Sequence, residues 1–149
     1  MEEMRVKLDP GARMPTRAHK TDAGLDLYSR EDKTIYPAQC LLGQMTEHAE
    51  SFDTGVHVEL PDGYYGKIES KSGLNVKHSV VSCGGVIDEG YTGSIVVKLY
   101  NLGVYPYTVN KGDKIAQMVI MPYLAPKLKV TMELGETERG NNGFGSTGV

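Results

Sequence analysis

Apolar and polar residues alternate in short segments along most of the chain. Val56, Val58 and Leu60 alternate with His57 and Glu59, which is the period of two expected when every second side chain faces a core. This alternation predicts a strand that has one buried face and one exposed face.

The segments that follow predict further strands separated by turns. A turn at 61–63 precedes a strand over residues 64–69, and the β-branched residues of 94–100 predict a strand that is mostly buried on both faces. The segments 107–109 and 114–120 predict a hairpin. Many short strands at this spacing indicate an all-β sandwich, jelly roll or barrel.

Two segments leave room for helix. Residues 41–52 contain helix formers and predict either a short helix or a long loop. Residues 72–78 predict about one helical turn with Ser72 as its N-cap. We expect residues 1–134 to form one β domain, and the polar, glycine-rich residues 135–149 to form a flexible arm.

The composition argues against several classes of protein. With 149 residues, 40% hydrophobic and 23% charged, the chain is typical of one soluble domain. A net charge of -3 without a basic cluster argues against a nucleic-acid surface, and no apolar run approaches the ~20 residues that cross a membrane. From the charged first residues we expect no signal peptide. Cys40 and Cys83 lack metal-site spacing, so we expect reduced thiols in a cytoplasmic protein.

The glycine-rich stretch 82–93 presents Asp88 and Tyr91 on a tight loop. By itself this stretch is typical of an ordinary hairpin turn, although an aspartate presented in this way also suits general-base catalysis. Asp26 has similar neighbours and predicts either a strand-end turn or an outer anchor for a metal. Because no histidine or cysteine cluster suggests zinc, any metal should be a hard cation held mainly by phosphate oxygens.

Three places contain groups suited to phosphate. Lys71-Ser72-Gly73 offers a cation, a hydroxyl and backbone N–H groups at a helix start, and its structural alternative is a capped helix with a solvated lysine. Gln117 is a neutral amide in an otherwise apolar strand, where an outward-facing strand position is the simpler interpretation.

The third place is the arm, which contains an arginine and two hydroxyls among glycines, Arg139, Ser146 and Thr147. Phe144 lies between them, where its ring suits closure over a nucleotide base. The structural alternatives are a disordered tail and a phenylalanine that packs on its own domain.

Taken together and in this order, these pieces resemble the homotrimeric deoxyuridine triphosphatase (dUTP pyrophosphatase) family. The resemblance covers positions 23 to 148, and its blocks are weak singly but specific in combination. The blocks are Ala23-Gly24-Leu25-Asp26-Leu27-Tyr28-Ser29, Lys71-Ser72-Gly73-Leu74, Gly85-Val86-Ile87-Asp88-Glu89-Gly90-Tyr91-Thr92-Gly93, Gly112-Asp113-Lys114-Ile115-Ala116-Gln117 and Arg139-Gly140-Asn141-Asn142-Gly143-Phe144-Gly145-Ser146-Thr147-Gly148.

The resemblance implies a jelly-roll subunit, a homotrimer whose active sites each use all three chains, and hydrolysis of dUTP to dUMP and pyrophosphate with Mg²⁺. Such an enzyme limits uracil in DNA and supplies dUMP for dTMP synthesis. The resemblance implies that Asp88 is the general base for water attack on the α-phosphorus, and that Tyr91 excludes a 2′-hydroxyl. The backbone of Gly85, Val86 and Ile87 would bind the uracil edge.

The resemblance also implies how the triphosphate is held. Lys71, Ser72, Gly73 and Gln117 would bind phosphates, and Asp26 would reach Mg²⁺ through water. The arm of a neighbouring chain would close with its aromatic ring over the uracil and its polar groups on the γ-phosphate. The arm residues concerned are Phe144 for the ring, and Arg139, Gly145, Ser146 and Thr147 for the phosphate.

The chain departs from the family pattern at several positions. Lys71 replaces the usual arginine and keeps the charge but not the bidentate fork. Ser70 replaces a proline, Gly90 a common second aspartate and Asn142 a common glycine. The segment 38–53 is longer than usual and predicts a surface excursion.

Two other functions compete with this interpretation. A deoxycytidine triphosphate deaminase shares the fold and part of the phosphate chemistry, but the Asp88–Tyr91 block and the complete arm favour the phosphatase. The second is a non-catalytic nucleotide sensor that binds a partner through residues 38–53. The intact Asp88 favours the enzyme.

Overall fold

The computed structural model describes residues 3–38, 40–41, 44–45, 47–83 and 85–142. Within these residues the chain forms short strands and one helix of seven residues. In chain order they are β1 (Arg5–Leu8), β2 (Gly24–Tyr28), β3 (Lys33–Ile35), β4 (Cys40–Leu41), β5 (Gln44–Met45), β6 (Ala49–Asp53), β7 (Val56–Glu59), β8 (Tyr64–Glu69), α1 (Ser72–His78), β9 (Val80–Ser82), β10 (Val86–Ile87), β11 (Val96–Asn101), β12 (Tyr107–Val109) and β13 (Lys114–Pro122).

The strands form an all-β, jelly-roll-like fold, as the sequence predicts. A four-stranded sheet has the order β10-β8-β13-β2, and a three-stranded sheet has the order β6-β11-β9. The pairs β1-β7, β12-β3 and β4-β5 complete the described strands, and all the pairings are antiparallel. No helix in these described ranges is long and apolar enough to cross a membrane.

One hydrophobic core fills the space between the strands. Leu27, Phe52, Leu99 and Met118 are fully buried in it, and they come from β2, β6, β11 and β13. Apolar side chains of this size dominate the stabilisation that burial provides, at about 25 cal/mol per Å² of apolar surface. The alternation predicted for β7 is confirmed, because Val56, Val58 and Leu60 are buried.

Two strand predictions are wrong. The strand over 94–100 is not buried on both faces, because Val96 is 53% exposed while Val97 and Leu99 lie in the core. The segments 107–109 and 114–120 do not pair with each other, since β12 pairs with β3, and β13 pairs with β2 and β8. Backbone hydrogen bonds at Ser29 hold the intervening turn against the end of β2.

The local predictions around the helices also need correction. The described residues of the segment 41–52 form neither a helix nor only a loop, because β6 pairs with β11 and buries Phe52. The N-cap of α1 is Lys71, with extended backbone and no side-chain capping bond, and Ser72 is the first helical residue. Strand β10 pairs with β8 and does not form a local hairpin with the residues after Asp88.

Candidate active site

Asp88 follows β10, which is an edge strand of the four-stranded sheet. Ile87 is buried and anchors the strand, whereas Asp88 is exposed. The N–H group of Tyr91 donates to the carbonyl oxygen of Asp88 at 2.9 Å and closes a turn. The carboxylate is therefore presented to solvent from a short and well-anchored element.

Gly85 fixes how β10 lies against β8. Its φ is +118°, and a Cβ there would lie 2.9 Å from Cβ of Ile68. The Ile68 N–H donates to the carbonyl oxygen of Gly85 at 2.9 Å. Only glycine accommodates this approach without strain. Because β10 is an edge strand, its second row of backbone groups faces away from β8, as a ligand edge would require.

A pocket of about 400 Å³ lies beside Asp88. Glu89 lines it and accepts hydrogen bonds from the Tyr123 hydroxyl at 2.7 Å and from the Gly63 N–H at 2.8 Å. These bonds, that of Tyr123 first, lower the pKa of Glu89. Tyr65 and Tyr123 also line this pocket, and sequence reasoning missed both. The one signal for Tyr65 in the sequence is the alternation along β8. Gly66 faces the core, so its neighbour Tyr65 faces the other side of the strand.

A second group of polar side chains surrounds Asp26 on β2. Asp26 is 3% exposed, and its two oxygens accept from Nζ of Lys71 at 2.5 Å and from Nζ of Lys114 at 2.7 Å. Burial alone would raise the pKa of Asp26, but the bonds from Lys114 and Lys71 outweigh it and lower the pKa below its ordinary value. Asp26 is therefore an ionised carboxylate held between two cations.

Sequence reasoning missed Lys114. The register of β13 against β2 shifts between Lys114 and Ala116, and such an irregularity re-aims side chains. Gln117 lies opposite Asp26 in the same ladder, and its Nε2 donates to the carbonyl oxygen of Ser70 at 3.1 Å. Gly24 leaves room for the Gln117 side chain, which a Cβ at that position would hit.

The structure brings together some of the predicted site residues and separates others. Lys71, Asp26 and Gln117 form one group, and Ser72 and Gly73 are exposed at the start of α1 beside it.

Asp88, Tyr91 and the backbone of β10 form a second group at the opposite edge of the same sheet. Three strand spacings of about 4.8 Å separate β10 from β2, which places Asp26 about 14 Å from the strand that leads into Asp88.

The C-terminal segment lies outside both groups. Strand β13 ends at Pro122, and residues 123–142 are exposed without regular secondary structure. Nε of Arg139 donates to the carbonyl oxygen of Asn142 at 3.0 Å. The remaining predicted arm residues, Phe144, Gly145, Ser146 and Thr147, lie outside the described residues.

Comparison with known proteins identifies the family to which the fold and the sequence blocks belong. The family model described as dUTPase matches residues 11–148. This chain belongs to the dUTPase family.

Relatives from distant organisms share nearly its whole length. A deoxyuridine 5′-triphosphate nucleotidohydrolase of Clostridium novyi is 44% identical over 145 residues, covering 96% of each chain. The mouse protein of the same name, from Mus musculus, is 40% identical over 143 residues, covering 96% of this chain and 83% of its own.

Solved dUTPase structures are similar to this chain over most or all of its length. A mutant dUTPase of Staphylococcus bacteriophage 80alpha, solved with dUpNHpp, has a TM-score of 0.89 and 32% identity, with both chains fully covered at 100%. A mutant dUTPase of the S. aureus phage phi11, with a TM-score of 0.79 and 31% identity, covers 91% of this chain and 100% of its own. That phage structure is described as showing the coordination of a structural Mg(II) ion.

Asp26 is the candidate metal contact of this dUTPase-family chain. No group of three histidine, cysteine, aspartate or glutamate side chains in the described part could hold a metal ion. Asp26 stays ionised and keeps lone pairs beyond the two that its lysines use. These residues fit a hydrated Mg²⁺ that a substrate's phosphates hold, touched by Asp26 through water.

Proposed function

We propose that this chain hydrolyses dUTP to dUMP and pyrophosphate, with Asp88 as the general base, in sites assembled from several copies. The observation that carries this proposal is the position of Asp88, exposed beside a pocket and anchored through Ile87 and Gly85. A carboxylate in that position accepts a proton from water as the water attacks the α-phosphorus. Such a positioned base is worth about 10²- to 10⁴-fold in rate.

The nucleoside is recognised by β10 and the turn after it. The backbone of Gly85, Val86 and Ile87 offers donors and acceptors along an edge strand, which suit the edge of uracil. The ring of Tyr91, 45% exposed, lies against the deoxyribose and leaves no space for a 2′-hydroxyl. This arrangement selects dUTP over UTP by shape.

The triphosphate is held by the group around Asp26. One of the three N–H donors of Lys71 bonds to Asp26, so two remain for phosphate oxygens. The exposed Ser72 and Gly73 add a hydroxyl and backbone N–H groups, and Gln117 adds an amide. When bound, Mg²⁺ would neutralise phosphate charge, and Asp26 would contact it through water.

The distance between the two groups supports a shared site. Asp88 follows one edge strand of the sheet and Asp26 lies on the other edge strand, about three strand spacings or ~14 Å away, which is too far to hold one phosphate in the same chain. A homotrimer brings Asp88 of one copy beside the phosphate-binding residues around Asp26 of another copy.

The C-terminal segment supports the same assembly. Leu128, Val130, Met132 and Leu134 are between 87% and 98% exposed and alternate with polar residues. Such a stripe is typical of a strand that packs on a partner. Seventeen residues from Pro122 to Arg139 reach up to about 56 Å, which is enough to cross to a neighbouring copy.

The end of the arm completes the site in this proposal. Residues 135–149 close over the neighbour's active site, with Phe144 over the uracil. Arg139, Gly145, Ser146 and Thr147 bind the γ-phosphate, whose charge their donors match. We place this enzyme in the cytoplasm, where the exposed free thiol of Cys83 stays reduced.

The test is pyrophosphate release with Mg²⁺ from dUTP, dCTP, dTTP and UTP in parallel, with ammonia assayed on the dCTP sample. We expect release from dUTP alone. Ammonia from dCTP would move the assignment to a deaminase. Binding of dUTP without turnover of any substrate would favour a nucleotide sensor that contacts a partner through residues 38–53.

A further inference from the structure

The ring of His57 lies between two hydrogen-bond acceptors. Its Nδ1 is 2.8 Å from the carbonyl oxygen of Thr92, and its Nε2 is 3.1 Å from Oδ1 of Asp9. The side chain is only 18% exposed. Both partners are acceptors, so the ring is held from its two sides by hydrogen bonds to fixed oxygens.

Thr92 directly follows Tyr91 in the turn after Asp88. The Tyr91 hydroxyl donates to the carbonyl oxygen of Ser94 at 3.0 Å, so the ring folds back over its own turn. Gly93 lies beneath the ring, and a Cβ there would collide with the Tyr91 hydroxyl. The backbone of residues 92–94 therefore determines where the Tyr91 ring lies.

The end of β6 and the residue that follows it fix the end of this turn as well. The Ser94 hydroxyl donates to Asp53, and the Thr54 hydroxyl donates to the carbonyl oxygen of Ile95 at 2.7 Å. Arg30 pairs with Asp53 at 2.5 Å and braces that side chain. The later part of the turn is thus held at residues 94 and 95, and His57 holds its beginning.

We propose that His57 is a positioning residue for sugar selection. By holding the Thr92 carbonyl, it keeps the Tyr91 ring where a ribose 2′-hydroxyl would clash. Asp9 orients the imidazole from the opposite side. This inference rests on the role proposed above for Tyr91, and it adds a residue that contacts no part of the substrate.

The test compares His57→Ala with Glu59→Ala. Glu59 lies on the same face of β7 and pairs with Arg5 at the surface, which makes it a matched control. For each variant, kcat/KM is measured with dUTP and with UTP. We expect His57→Ala to reduce the dUTP preference about fivefold, the effect of losing one hydrogen bond, and Glu59→Ala to leave it unchanged.

A conservative variant separates positioning from folding. The amide of His57→Gln can donate one hydrogen bond, so we expect this variant to keep part of the dUTP preference. If His57→Ala fails to fold, His57→Gln is the variant that is compared with the parent. Equal losses with dUTP and UTP, or a lower unfolding temperature at an unchanged preference, would show that His57 serves only the fold and would overturn the inference.

Tyr91→Ala distinguishes this inference from the proposed function. If Tyr91→Ala retains the dUTP preference of the parent, Tyr91 does not exclude the ribose 2′-hydroxyl, and the role proposed for Tyr91 is itself wrong. Loss of the preference in Tyr91→Ala, but not in the His57 variants, would overturn the role of His57 alone.

Discussion

Nζ of Lys71 lies 2.5 Å from Oδ1 of Asp26, a residue that is 3% exposed. A buried carboxylate without a partner would be strongly destabilising, and Lys71 and Lys114 together compensate its charge. The contact also joins the beginning of α1 to strand β2. The proposed phosphate-binding residues and the proposed metal contact therefore form one electrostatic unit.

The ionisation of Asp26 should make stability depend on pH. The folded state lowers the pKa of Asp26 below its ordinary value of 3.8. The contribution of Asp26 to the free energy of unfolding is therefore fully present above that ordinary value, and it is lost as the pH falls through the lower pKa of the folded state. We expect the free energy of unfolding to fall below about pH 4. Urea unfolding at a series of pH values from 7 to 3 measures this fall.

The control for this prediction is Asp26→Asn, which cannot ionise. It should be less stable than the parent at pH 7, because Lys71 and Lys114 lose a charged partner, and its stability should fall less in acid. Parallel pH curves for the two proteins would contradict the assignment of this fall to Asp26.

Removing the proposed base should abolish most turnover without affecting the fold. Asp88→Asn should lower kcat at least about 100-fold, since it removes the proton acceptor. Because Asp88 is exposed, the thermal unfolding of the Asp88→Asn variant should match that of the parent. Asp62→Asn, at another exposed turn position, is the control. Turnover within a few-fold of the parent in Asp88→Asn would disprove the general-base role.

Gly85→Ala should destabilise the fold at β10. The new Cβ would lie 2.9 Å from Ile68 at a φ of +118°, and we expect a loss of about 2–4 kcal/mol from overpacking and backbone strain. Gly90→Ala meets open space and should change stability by less than about 1 kcal/mol. Chemical denaturation measures both variants, and equal stabilities would contradict the close approach of β10 to β8.

Mixing two inactive chains tests the shared site directly. One chain carries Asp88→Asn, and the other ends after Glu138 and lacks the rest of the arm. If base and arm come from different copies, refolding the two together should restore about a quarter of parental activity, since half the sites have each part. Each chain refolded alone is the control. No recovery from the mixture would show that one chain supplies both parts.

The local pattern predicts a large part of the fold. Alternation places Val56 and Val58 in the core because side chains of a strand point alternately to its two faces. It fails at β12, where the choice of partner strand depends on contacts distant in the chain. It also fails at residues 41–52, where pairing of β6 with β11 overrides helix propensity.

The sequence by itself determined the family and the identity of the groups suited to chemistry, because residue types at fixed spacing in a loop are local properties. Asp88, Tyr91 and Lys71 are recognisable because their blocks, weak singly, follow one another in a specific order along the chain. The tertiary structure alone decided that Lys114 and Lys71 meet on Asp26, and that His57 holds Thr92. Such contacts join residues remote in the chain, and strand order, register and burial set their distances.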